Sequence, residues 1–186
     1  MKISVFGSST PQSEDPTYLE GLALGNLLGN EKYTVMTGGY TGIMEAVSRG
    51  TSESGGTVIG VTCEEIEDWR PINANQWVQK ELRFDSLYER LLTLVSNCDA
   101  AIALPGGPGT LAEISLSWTL MQTEAIKKKP LILVGNEWYS IFHNFFENSQ
   151  PYISDDSVNL LHFAVDAQDA FDQLQKLSQM NTGHIS

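Results

Sequence analysis

The chain has 186 residues, 41% hydrophobic and 18% charged, which suits one compact domain whose core needs no disulfide or structural metal. Eleven Lys and Arg against 23 Asp and Glu give a formal net charge of −12, which argues against nucleic-acid or anionic-membrane surfaces, because both need clustered cations. Cys63 and Cys98 lack CxxC spacing, no apolar run reaches the ~18 residues that span a bilayer, and no secretory leader pattern opens the chain, so a reducing cytoplasm is the expected setting.

In chain order, β-type runs alternate with helical patterns. A strand over Lys2–Phe6 precedes a helix over Thr17–Leu28, a strand over Tyr33–Thr37 precedes a helix over Gly42–Glu53, and a strand follows over Thr57–Thr62. An irregular acidic stretch, Glu64 to Ala74, and a short run around Val78 to Leu82 lead to a helix over Ser86–Asn97, capped by Asp85 or Ser86. Then come a strand at Asp99–Leu104, a helix at Thr110–Ile126, a strand at Leu131–Val134, a helix at Tyr139–Asn148, a strand at Leu160–Val165 and a helix at Ala167–Leu177. This alternation predicts an α/β fold with a Rossmann-like, doubly wound, mostly parallel sheet and helices on both faces. Residues 1–180 are expected to form one nucleotide-binding domain, with 181–186 a frayed tail.

In such a sheet ligands bind beyond the carboxyl ends of the strands, and three glycine turns are expected to converge there. They are Gly7-Ser8-Ser9, Gly38-Gly39-Tyr40-Thr41-Gly42, and Pro105-Gly106-Gly107-Pro108-Gly109-Thr110. The third joins an apolar strand to a helix, so free N–H groups and the positive end of the helix dipole make it an anion cradle. Glu113 follows Gly109 by about one helical turn and adds a carboxylate beside the anion. The first turn lacks the dinucleotide spacing GxGxxG, and no GxxxxGK[ST] occurs, which disfavours nicotinamide redox chemistry and excludes P-loop ATP hydrolysis.

Helix patterning alone makes Arg90 a solvated or Glu-paired surface residue beside an inward stripe of Leu87, Leu91, Leu94 and Val95; the functional alternative is a fork-shaped donor to phosphate or carboxylate. The Thr110–Ile126 helix is apolar on two sides, Ile114, Trp118 and Met121 on one and Leu116 and Leu120 on another. Its second side packs either against C-terminal helices or against a second copy of the chain, giving a homodimer or a higher homo-oligomer. Lys127-Lys128-Lys129 reads as cations at the C-terminal end of that helix. His143, His162 and His184 lie apart from one another and from carboxylates at ligand spacing, so no metal is expected, and no GxSxG elbow supports a serine nucleophile.

The runs Pro105-Gly106-Gly107-Pro108-Gly109-Thr110-Leu111-Ala112-Glu113 and Gly38-Gly39-Tyr40-Thr41-Gly42-Ile43-Met44-Glu45-Ala46, with Gly7-Ser8-Ser9 and Arg90, resemble the Lonely Guy family, once labelled lysine decarboxylase-like. The resemblance covers about Ile3 to Val134. It implies a dimeric Rossmann-like protein that hydrolyses the N-glycosidic bond of AMP or cytokinin-type ribotides to free base and ribose 5-phosphate, without a cofactor. It implies a catalytic pair, Arg90 and Glu113, and substrate contacts from Gly38, Gly39, Gly42, Met44 and Glu45, from Gly106, Gly107, Gly109 and Thr110, and from Thr119. Many cytokinin-activating members have Arg-Lys where this chain has Arg90-Leu91, a third glycine at Tyr40 and a glutamate at Leu116. The Gly38–Gly50 wording also resembles a branch containing a molybdenum-cofactor carrier, and the alternative function is a non-catalytic nucleotide or cofactor carrier. Pyridoxal phosphate chemistry needs a Schiff-base lysine, and none of the three turns contains one.

Overall fold

The computed structural model describes residues 1–182. Its elements run β1 (Lys2–Phe6), α1 (Pro16–Asn30), β2 (Thr34–Thr37), α2 (Ile43–Glu53), β3 (Thr57–Cys63), α3 (Glu64–Trp69), β4 (Lys80–Phe84), α4 (Leu87–Ser96) and β5 (Ala100–Ala103). They continue as α5 (Pro108–Gln122), β6 (Leu131–Val134), α6 (Asn136–Ser149), a 3₁₀ turn (Gln150–Tyr152), α7 (Asp155–Val158), β7 (His162–Ala164) and α8 (Ala167–Thr182). The seven strands form one sheet in the order β4-β3-β2-β1-β5-β6-β7, and every pairing is parallel. The winding reverses between β1 and β5, so the helices that follow these two strands lie on opposite faces of the sheet and leave a crevice at its carboxyl edge.

Strand alternation sorts side chains between two cores. Ile3, Val5, Val35, Ile102 and Ile132 face α1, α2 and α8, whereas Phe6, Met36, Val61, Ala101 and Leu133 face α4, α5 and α6. On the first face, α1 lies close against α2 because Gly21, Gly25 and Gly29 recur every four residues; a Cβ on Gly25 would run into the backbone of Val47 and Gly50. On the other face Trp118 packs edge-on against Phe142, Phe145 and Phe146 at 5.8–6.2 Å, and its indole N–H donates to Ser157 O at 2.7 Å.

Several expectations are corrected. The stretch after Thr62 is not wholly irregular: Glu64–Trp69 is helical, with Glu64, Glu65 and Glu67 in its first turn, where carboxylates complement the helix dipole. Arg83 of β4 binds this helix through Glu64 at 3.1 Å and Glu67 at 2.6 Å. The cap of α4 is Ser86, which accepts from Glu89 N at 3.2 Å. In the expected α4 stripe Leu94 and Val95 are fully buried, but Leu87 is 44% exposed and Leu91 only half-buried, because the buried position one turn before Leu94 is taken by Arg90. Lys129 caps α4, not α5: its ammonium donates to Val95 O at 2.6 Å and Cys98 O at 3.1 Å. Of the expected tail, residues 181–182 belong to α8, while 183–186, with His184, lie outside the described residues.

Candidate functional site

At the winding reversal the β1, β2 and β5 loops meet. Ser8 N donates to Pro105 O at 3.1 Å and Ser8 O accepts from Ile43 N at 2.8 Å, so the first turn is clamped between the other two. Gly42 is held at φ +71°, where a side chain is strained, and a Cβ there would meet the backbone of Ser8 and Ser9. This contact explains the glycine without any ligand. Gly107 and Gly109 differ: a Cβ on either would meet nothing within 4 Å. Their missing side chains clear space on the cleft side of the α5 N-terminus. The N–H groups of Gly106, Gly107, Gly109 and Thr110 donate to no described residue, and Gly107 caps α5 without a side-chain hydrogen bond. Four free donors around one helix start make an anion cradle.

The cradle opens into a cavity of about 380 Å³. Gly7, Ser8, Ser9 and Thr10 form one wall, Met44 and Tyr40 another, Gly107 to Thr110 the third, with Arg90 and Glu113 at its base and Ile66, Trp69 and Arg70 along its rim. A second cavity, of about 450 Å³, shares Ser9, Thr10 and Arg70 with the first and contains Gly42 and Glu45.

Arg90 is not the surface residue that helix patterning suggests. It is 6% exposed, its Nε donates to Val61 O at 2.8 Å and its Nη2 to Gly38 O at 3.3 Å, and its guanidinium lies 5.6 Å from the Tyr40 ring centroid. These partners are neutral, and no carboxylate of a described residue lies within 4.0 Å, so its positive charge remains available at the cavity. Tyr40 is locked in turn. Its hydroxyl accepts from Cys63 N at 2.9 Å, burial pushes its pKa up to about 12, and Asn75 Nδ2 donates to the carbonyls of Gly39 and Tyr40.

Glu113 is 8% exposed and accepts no hydrogen bond from a described residue. Burial raises its pKa to about 7, against the opposing pull of the Arg90 charge. Near neutrality its carboxyl is therefore able to give or take a proton.

Gly38 and Gly39 lie behind the wall. Gly38 O holds Arg90, and Gly39, at φ +80°, donates to Thr37 Oγ1 and accepts from Asn75. Gly106 sits under the turn against Thr110. Thr119 is exposed and lines neither cavity; six residues past Glu113, it is rotated roughly 240° around α5. Sequence reasoning missed Thr10, Ile66 and Arg70. For Arg70 the available signal was a lone arginine ending an acidic run. His143 stacks on Tyr139 and lies 3.4 Å from Glu147, and burial lowers the His162 pKa. Among the described residues no three His, Cys, Asp or Glu side chains are grouped to hold a metal, and no helix is long and apolar enough to cross a membrane.

Comparison with known proteins adds family context. A family described as possible lysine decarboxylase matches residues 44–174. Over 157 residues the chain is 26% identical to an Arabidopsis thaliana cytokinin riboside 5'-monophosphate phosphoribohydrolase, LOG5, covering 82% of this chain and 67% of that one. A Mycobacterium tuberculosis protein with the same enzyme name is 31% identical over 126 residues, 63% of this chain and 66% of its own length. Among solved structures, the molybdenum cofactor binding protein from Rippkaea orientalis superposes with a TM-score of 0.72 at 25% identity, covering 95% of this chain and 96% of that one. The molybdenum cofactor carrier protein from Chlamydomonas reinhardtii gives 0.72 at 23% identity, with 96% and 98% covered, a likeness of fold.

The state of Glu113 has a consequence for stability that needs no ligand. Its folded pKa, about 7, exceeds the ordinary 4.5, so the folded chain binds the proton more tightly. The associated stability is full below pH ~4.5 and is lost as pH rises through ~7, a penalty of order 1–3 kcal/mol at pH 8. Glu113→Gln is expected to raise the urea midpoint at pH 8 and to change it little at pH 5; equal midpoints at both values would contradict a buried, uncompensated carboxylate.

Proposed function

Because the chain belongs to the Lonely Guy family, we propose that it is a nucleoside 5'-monophosphate phosphoribohydrolase, which cleaves the N-glycosidic bond of a purine ribotide such as AMP or a cytokinin-type ribotide. The observation that carries this reading is a buried carboxylate, Glu113, one helical turn beyond four free N–H donors and beside the unpaired charge of Arg90. The N–H donors of Gly107, Gly109 and Thr110, which line the cavity, take the 5'-phosphate, and the ribose then lies against Glu113.

In the reaction the C1'–N bond breaks, its electron pair leaves with the base, and C1' develops oxocarbenium character. A Glu113 carboxylate stabilises that cation or takes a proton from the attacking water. The water oxygen bonds to C1', and its proton ends on the base nitrogen, giving free base and ribose 5-phosphate. Arg90 keeps net positive charge beside the phosphate and orients the carboxylate without closing an ion pair, so space remains between them for a ribose hydroxyl or water. The chain needs no cofactor for this step.

The second reading, a carrier that binds without turnover, is favoured by one observation: its likeness to the Rippkaea cofactor binding protein extends over 95% of the chain. Incubation with AMP and a cytokinin ribotide, with released base followed by chromatography, separates the two. The hydrolase reading expects release, with kcat/KM rising with pH through about 7 as Glu113 ionises, a drop of about 10²–10⁴-fold in Glu113→Gln with AMP binding retained, and loss of both binding and turnover in Arg90→Ala. No released base, or full activity in Glu113→Gln, contradicts it.

We also propose that the working unit is a homodimer or larger homo-oligomer. The Trp118 side of α5 is covered by α6, but Leu116 and Leu120, about 40° apart on another side of α5, remain half-buried, and Leu87 and Tyr88 of the neighbouring α4 are 44% and 70% exposed. Sedimentation at micromolar concentration is expected to give at least twice the 20.5 kDa chain mass. A monomer alone would overturn the assembly.

A further inference from the structure

The cleft has two chambers, and the second is polar. It takes hydroxyl, amide and charged groups from Gln12, Ser13, Thr41, Glu45 and Arg70. Among the described residues Arg70 Nε is buried without a hydrogen-bond partner and the guanidinium has no carboxylate within 4.0 Å, so a donor stands ready at the wall common to both chambers. An unsatisfied buried donor requires a polar acceptor, from water or ligand.

The orientation of a bound nucleotide follows from the two ends of the first chamber. With the phosphate on the Gly106–Thr110 turn and ribose at Glu113, the base is left with the rim residues Ile66 and Trp69 and the shared wall of Ser9, Thr10 and Arg70. Trp69 is 80% exposed, with a ring free to stack, unlike Tyr40, whose hydroxyl is fixed and whose side chain is 2% exposed. Rotation about the glycosidic bond can turn the exocyclic edge of the base toward the polar chamber, which adjoins this wall. Adenine presents there an N7 acceptor and an N6 amino donor, matching a guanidinium donor and the Glu45 carboxylate. An isoprenoid substituent on N6 would instead strip water from Arg70 and Glu45 and offer no hydrogen bond in return.

Resting on the nucleotide reading above, we propose that Arg70 and the polar chamber select purine monophosphates with an unalkylated exocyclic amino group, so that AMP, not an N6-prenylated adenine ribotide, is the substrate class. Arg70 is a specificity-determining residue in this account. The prenylated ribotide loses by about tenfold or more, since a site built to hydrogen-bond rejects ligands that leave its groups unpaired.

The test measures kcat/KM for AMP and for N6-isopentenyl-AMP on the full chain, alongside calorimetric Kd values for both. Wild type is expected to favour AMP by at least about tenfold, and Arg70→Met to bring the ratio toward one by weakening AMP and relieving the prenylated ligand. Glu45→Leu, on α2, is expected to shift the ratio the same way. A purely structural loss scales both ligands equally, so the ratio is independent of the folded fraction. Equal or better use of the prenylated ribotide by wild type, or a ratio unmoved by Arg70→Met, overturns the inference even if hydrolysis stands. If neither ligand is hydrolysed, the hydrolase reading fails, and the ratio of Kd values decides the inference by itself.

Discussion

The guanidinium of Arg90 is a cation buried among neutral groups, and the candidate site depends on how it is held. Val61 O and Gly38 O fix two of its nitrogens, the Tyr40 ring lies beside it, and Tyr40 is itself fastened to Cys63 and Asn75. One side chain from α4 thereby joins the ends of β2 and β3 and presents its charge to the crevice. Charge-assisted hydrogen bonds of this kind contribute about 1.5–3 kcal/mol each, yet they leave the net charge unneutralised. An anion in the crevice completes the arrangement. Glu113 does so only from beyond ion-pair distance, which is why burial still holds its pKa near 7.

The glycines divide into two groups with different causes. Gly42, like Gly25 and Gly29 of α1, is required by contacts within the protein, because a Cβ would strike backbone. Gly107 and Gly109 face open space, and nothing in the folded chain forbids a side chain at either. Without side chains at these two positions, the helix N-terminus is bare. With the reversal of winding between β1 and β5, this bare terminus supplies the positive end of the cleft, so an acidic chain of net charge −12 still offers a local anion site.

Much of this was legible in the sequence, for physical reasons that also mark the limits. Apolar runs bounded by glycine turns gave the alternation and placed Leu131–Val134 at its observed bounds, because parallel strands buried on both faces read as continuous apolar segments. The Pro105–Glu113 turn was legible because its glycine spacing follows such a strand. Arg90 was misplaced by helix patterning: it occupies a buried position one turn before Leu94, but a charged residue type overrides its position in any hydropathy pattern, and its acceptors are carbonyls 29 and 52 residues away. Arg70 was missed because α3 has only six residues, too few to register a helical period. Lys129 shows the same limit, since the helix end it caps lies 34 residues earlier in the chain.

The central claim is that the α5 turn, Arg90 and Glu113 form one nucleotide site. A crystal structure of the Glu113→Gln variant soaked with AMP tests it most directly. The account predicts the phosphate on the N–H groups of Gly107, Gly109 and Thr110, with the ribose between residue 113 and Arg90. A nucleotide bound elsewhere, for instance with its phosphate at Lys127–Lys129 and the α5 turn empty, would contradict it.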